Sequence, residues 1–142
     1  MRTSIRSHLP LVLSVLLALS SLGATEKESP DVNEPIRFAT AEAYLKENPK
    51  HLAVYTKGLV CSSCGIGLRI HLSRLKEIDS EKYTKGILLD APMQLLVIAF
   101  KPGTDIDISR IQKAIDKAGY DVGHYYLWTG EGIERYTVPP LR

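Results

Sequence analysis

From residue 51 to residue 128 the apolar side chains switch repeatedly between a spacing of two and a spacing of nearly four. That succession restricts the fold more than any other property of the chain. Residues 51–57 (HLAVYTK) set Leu52, Val54 and Thr56 against Ala53, Tyr55 and Lys57, the alternation of a strand, and Gly58 ends it. In the next stretch, CSSCGIGLRIHLSRL, Cys64, Leu68, Leu72 and Leu75 recur at intervals of four, four and three, one face of a helix. Cys61 then falls in the preceding loop and Cys64 in the first helical turn. Residues 83–89 (YTKGILL) and 95–100 (LLVIAF) are apolar and rich in strand formers, and DAPMQ between them supplies the turn of an antiparallel hairpin.

Lys101, Pro102 and Gly103 close the hairpin, and a second helix carries Ile108, Ile111, Ile115 and Ala118 on one face. Asp105 or Asp107 is expected to cap it and Gly119 to stop it. Residues 122–128 (VGHYYLW) form a last strand. The resulting order is the ferredoxin-like βαββαβ arrangement, an α+β fold with a four-stranded antiparallel sheet and two helices on one face. A single small core over residues 51–128 suits a chain of 142 residues.

The flanks read differently. Arg2 and Arg6 precede an uncharged apolar run from Leu9 through Leu22, followed by Gly23 and Ala24, the pattern of a secretory signal peptide over residues 1–24. The alternative is an uncleaved anchor, but the run is shorter than the roughly 20 residues needed to cross a bilayer core, and Pro10 lies near its start. A periplasmic or secreted protein is expected. Residues 25–35 (TEKESPDVNEP) have the composition of a solvated linker; the linker region extends to residue 50 and holds a short helix from Thr40, its cap, to a stop at Pro49. Residues 129–142 carry no motif and are read as a C-terminal tail.

Removing residues 1–24 takes away two arginines and no acid, leaving sixteen basic against sixteen acidic residues. A nucleic-acid partner normally demands a basic surplus, so that class is set aside.

The two cysteines sit three apart, and a crosslink between them closes almost no chain, so stapling explains them poorly. A metal-binding role explains them better. The thiolate is the ligand, and a cysteine near a helix N-terminus has its anion favoured by the dipole and by unpaired backbone N–H groups, so lowered thiol pKa values are expected. Two sulfurs separated by two residues on a turning loop can face one ion, and polarizable sulfur prefers soft acceptors such as Cu(I), Ag(I) or Hg(II). Zn(II) is the weaker candidate, because a closed zinc site typically wants four ligands and the residue before Cys61 is Val60, not a carboxylate.

The segment from Gly58 to Cys64 (GLVCSSC) resembles the metal loop of the heavy-metal-associated domain family, found in copper chaperones, metal-pumping ATPases and the periplasmic mercury-binding protein. VIAFKP at residues 97–102 and IQKAIDKAGYDV at 111–122 resemble that family's third strand, second helix and closing Gly-Tyr loop, so the likeness covers about residues 52–126. It implies a carrier or scavenger of a soft metal ion, Cu(I) before Hg(II). Cys61 and Cys64 are then the only protein ligands, and the ion passes by ligand exchange to a metal-transporting membrane protein or another metal-binding domain. It implies a monomer and no chemical reaction. Leu59 stands where the family usually has methionine, a side chain that packs beneath the loop; leucine nearly conserves its volume. Tyr120 matches the family position that faces the metal, where it would shield the ion; a plain core tyrosine is the alternative.

The remaining candidates are weaker. His71 shares the cysteine face of its helix, but seven residues carry it ~10 Å along the axis from Cys64. His51 and His124 fall in strands, where packing is the expected role. Gly65 and Gly67, poor helix formers at about 1 kcal/mol each relative to alanine, suggest a mobile loop end or a close contact. Lys57, Arg69 and Lys117 could ring the loop, and Tyr125, Tyr126 and Trp128 could cover the sheet or dock a partner. Two rival readings remain. One is a thiol-disulfide redox module, since C-x-x-C at a helix start also serves thioredoxin-like enzymes, although no proline loop faces the motif here. The other is an interaction domain of the same type whose cysteines carry no metal.

Overall fold

The computed structural model describes residues 33–140; the leader and residues 25–32 of the linker read from the sequence lie outside the described residues. The chain runs α1 (Glu34–Glu47), β1 (Leu52–Lys57), α2 (Ile66–Leu72), β2 (Ile87–Asp90), β3 (Leu95–Ile98), α3 (Ile108–Lys117), β4 (Asp121–Trp128) and β5 (Ile133–Thr137). It is an α+β fold with one five-stranded sheet in the order β2-β3-β1-β4-β5, every neighbouring pair antiparallel. The β1-α2-β2-β3-α3-β4 succession expected from the periodicity is present. Among the described residues the expected strand count of four is corrected to five, the two helices expected on one face are α2 and α3, and the short helix expected from Thr40 is the longer α1 on the other face.

The extra helix follows from the two faces of the sheet. Along β1 and β3, Leu52, Val54, Leu96 and Ile98 point to one side and are buried against Leu68 and Leu72 of α2 and Ile111, Ala114 and Ile115 of α3. Ala53, Leu95 and Val97 point to the other side and are buried with Ala41 and Leu45 of α1, together with Tyr126 and Ile133. The unbroken apolar run of β3 therefore reports a strand covered on both faces. Burying each of these leucines or isoleucines stabilises the fold by roughly 1.5–3 kcal/mol.

Helix α1 begins six residues before Thr40. Asn33 is the cap residue and Pro35 occupies the first turn, where its missing N–H costs nothing. Thr40 lies inside the helix, its hydroxyl donating to the Ile36 carbonyl at 2.9 Å. Arg37, Ala41 and Leu45, four apart, make the buried stripe. Arg37 is 1 % exposed and fully engaged: Nε donates to the Met93 carbonyl at 3.0 Å, Nη1 to Glu34 at 2.9 Å, and the guanidinium lies 3.7 Å from the Tyr55 ring centroid. Tyr126 donates to Glu34 at 2.9 Å and its ring meets Phe38 edge-on, so α1 is tied to the sheet by both polar and apolar contacts.

Two further differences have local causes. Residues 83–86 form a turn and not the start of β2, because Tyr83, Lys85 and Gly86 all have positive φ. A Cβ at Gly86 would collide with Ile78 and the Asp79 carbonyl, so the chain passes too close there for a side chain. At the other end, Thr129 donates to the Gly132 carbonyl at 2.9 Å and Gly130 has φ +100°, which reverses the chain into β5. β5 pairs along β4, with Tyr136 opposite Tyr125 and their rings stacked 5.3 Å apart. Helix α3 is as expected: Asp107 accepts from the Arg110 N–H at 3.2 Å, and Gly119, at φ +85°, ends it.

Candidate metal centre

The loop between β1 and α2 leaves the sheet at Gly58, whose φ of +82° lies in the left-handed region that favours glycine. The Gly58 N–H donates to the Gln94 side-chain oxygen at 3.3 Å and the Thr56 N–H to the Gln94 carbonyl at 2.8 Å, so the β2–β3 turn anchors the loop entry. Leu59 then turns inward and is completely buried, placing it beneath the loop. The next residue, Val60, is 58 % exposed.

Cys61 and Cys64 follow on a turn, Cα atoms 5.3 Å apart, and their sulfurs are joined in a disulfide. Cys61 is half-buried and Cys64 exposed. The Cys64 N–H donates to Cys61 Sγ at 3.1 Å, and Ser63 Oγ lies 3.4 Å from the same sulfur. Cys64 stands two residues ahead of α2, outside the helical turn expected for it, because Gly65 is the cap residue and α2 starts at Ile66. Gly65 permits this entry: a Cβ there would press into the Leu89 side chain. Gly67 faces Ala118, where a Cβ would sit 3.6 Å from that residue's own, an ordinary packing distance, so of the two only Gly65 marks a close approach.

Tyr120 is brought to the loop from the far end of α3. Its hydroxyl donates to the Cys64 carbonyl at 2.8 Å, so it holds the backbone of the turn and does not bond either sulfur. Ser62 and Ser63 between the cysteines are exposed, and the loop and α2 also expose the large hydrophobic side chains of Val60, Ile66 and Ile70.

The histidines are elsewhere. His51 precedes β1, at the opposite end of the strand from the loop, roughly 20 Å away for six extended residues. It is buried against Tyr83, with Nδ1 3.2 Å from the phenol oxygen, and burial followed by the nearby Lys82 charge pushes its pKa below the usual histidine value. His124 lies 2.6 Å from the Tyr126 hydroxyl and 3.3 Å from Glu34, on the α1 side of the sheet. His71 and Lys117 line a groove between α2 and α3. Lys57 is exposed opposite Asp121, and Arg69 is half-buried on α2. Of the aromatic residues, Tyr126 is buried under α1, while Tyr125 and Trp128 pack on opposite faces of the sheet.

Among the described residues, no three His, Cys, Asp or Glu side chains converge as a metal-binding group. An ion at the loop would therefore be held by the two sulfurs of Cys61 and Cys64 once their bond is reduced, with its other positions open to a partner. Among the same residues no helix is long and apolar enough to cross a membrane. The chain was matched by no family model, no curated protein and no solved structure.

Proposed function

We propose that this chain is an exported carrier or scavenger of a soft metal ion, Cu(I) before Hg(II), Ag(I) or Zn(II), built as a ferredoxin-like domain of the heavy-metal-associated type. The observation that carries the reading is the exposed juxtaposition of the Cys61 and Cys64 sulfurs on a turn held from beneath by Leu59 and from the side by Tyr120. Reduction delivers two thiolates to one point, and an ion bound by two ligands is released when a partner's thiolates add. Exposed Val60, Ile66 and Ile70 offer that partner, a metal transporter or a second metal-binding domain, an apolar contact beside the cargo.

The test is anaerobic titration of the reduced protein with Cu(I) and with Hg(II). One equivalent is expected to bind, Cys61→Ser to abolish it, and the disulfide form to bind none. Binding that survives Cys61→Ser would overturn the reading. The disulfide itself favours a second reading, thiol-disulfide exchange with a partner protein, which insulin reduction catalysed by the protein together with absence of metal binding would establish.

A further inference from the structure

Between α2 and α3 runs a groove of about 290 Å³. His71 and Arg74 extend from the α2 side, Arg110, Lys113 and Lys117 from α3, and no carboxylate lines it. Arg110 is engaged by Glu77 at the rim. Arg74, Lys113 and Lys117 have no ion-pair partner among the described residues.

The fold does not need this arrangement. The inward faces of the two helices, Leu68 and Leu72 on one and Ile111 and Ile115 on the other, already make the core. Residues 110, 113 and 117 are three and four apart, so their like charges share one face and repel, and they look across the groove at the further cation of Arg74 and at the His71 ring. In a chain whose acidic and basic residues nearly balance, four cations, Arg74, Arg110, Lys113 and Lys117, collected around one concavity with no carboxylate in its lining are a segregation of charge.

We propose that the groove binds a soluble polyvalent oxyanion of the diphosphate class. The groove has room for several water-sized groups side by side, enough for two linked tetrahedral oxyanion groups. The cations converge from two walls and would surround such an anion, whereas a flat bilayer would meet only the rims. Arg74 supplies a planar fork for paired hydrogen bonds and the lysines supply mobile point charges. Leu75 and Ala114 put apolar surface beside the charges, which strengthens the attraction. None of these residues belongs to the cysteine loop, so the site stands or falls independently of metal binding.

The probe is sodium pyrophosphate, titrated calorimetrically at low ionic strength into the disulfide form and into Cys61→Ser. Both are expected to take up one equivalent saturably, with affinity falling as NaCl is added. Lys113→Ala with Lys117→Ala should weaken binding by about tenfold or more. Lys46→Ala with Lys50→Ala, remote on and after α1, should leave it unchanged. Amide shifts in the parent protein should centre on α2 and α3, a readout that needs no variant. Non-saturable uptake, an unaffected Lys113/Lys117 double variant, or shifts centred elsewhere would overturn the proposal. Binding to vesicles containing phosphatidylglycerol without binding to pyrophosphate would do the same, in favour of a membrane surface.

Discussion

Tyr120, Gly123 and His51 each tie a single side chain, or the lack of one, to a measurable property. The Tyr120 hydroxyl bond to the Cys64 carbonyl joins two segments 56 residues apart in the chain but is exposed, so Tyr120→Phe should cost only about 0.5–1.5 kcal/mol in urea unfolding. Hydrogen exchange across residues 61–66 should quicken while metal stoichiometry is kept. At Gly123 a Cβ would come within 2.2 Å of the Tyr55 ring, whose face carries the Arg37 guanidinium. Gly123→Ala is therefore expected to destabilise by about 1–3 kcal/mol, and adding Tyr55→Leu should recover part of that loss, a non-additivity that denaturation of the four-member cycle would measure. His51 has its pKa lowered first by burial and then by Lys82. As pH falls below the ordinary histidine value of 6.5, the unfolded chain takes up a proton before the folded one does, so stability is full above that value and declines below it. His51→Asn should flatten that part of the acid limb in urea midpoints compared between pH 7.5 and pH 5; an unchanged slope would show that His51 contributes nothing to it.

Among the elements, α1 depends most on polar anchoring, because only Ala41 and Leu45 of its apolar side chains are fully buried. Arg37 supplies the rest through the Met93 carbonyl, Glu34 and Tyr55. Arg37→Met keeps much of the volume but drops the charged hydrogen bonds and leaves the Met93 carbonyl unpaired, for an expected loss of about 1.5–3 kcal/mol. Tyr126 reinforces the same contact, its phenol held protonated well into the alkaline range by burial and by the bond to Glu34. Helix α2 is the opposite case, only seven residues long and positioned by the burial of its own Leu68 and Leu72 in the core that also holds Leu59. The cysteine turn thus rests on a packed floor, while its sulfurs remain at the surface.

On the scale of the whole molecule the sheet has two edges, β2 and β5. Ending the chain after Trp128 would remove β5, expose the β4 edge and uncover the Ile133 contact with the α1 layer. Such a truncation is expected to associate in a concentration-dependent way, seen by light scattering, and to melt at a lower temperature. A monodisperse truncated protein with the parent's melting temperature would show that β5 is dispensable.

The succession of periods was legible in the residues because each element on the α2–α3 side of the sheet shows a clear apolar face, and Asp107 and Gly119 announce the ends of α3. The C-x-x-C spacing likewise announced two neighbouring sulfurs, whereas the residues left Tyr120 open between a metal-facing side chain and a plain core tyrosine, and the fold gives its hydroxyl to the Cys64 carbonyl. Tertiary structure decided what local pattern leaves open. The stripe of α1 includes a charged residue, Arg37, whose burial makes sense only once Glu34, Met93 and Tyr55 surround it. The strand IERYT, with one apolar residue buried and the others mostly exposed, gains its order from pairing with β4. The entry to α2 was set by the close approach of Leu89 to Gly65, and the cationic groove by bringing together two helices 36 residues apart, from residue 72 to residue 108. Periodicity encodes which side of an element is apolar; which polar groups meet across the fold is fixed only when the layers pack.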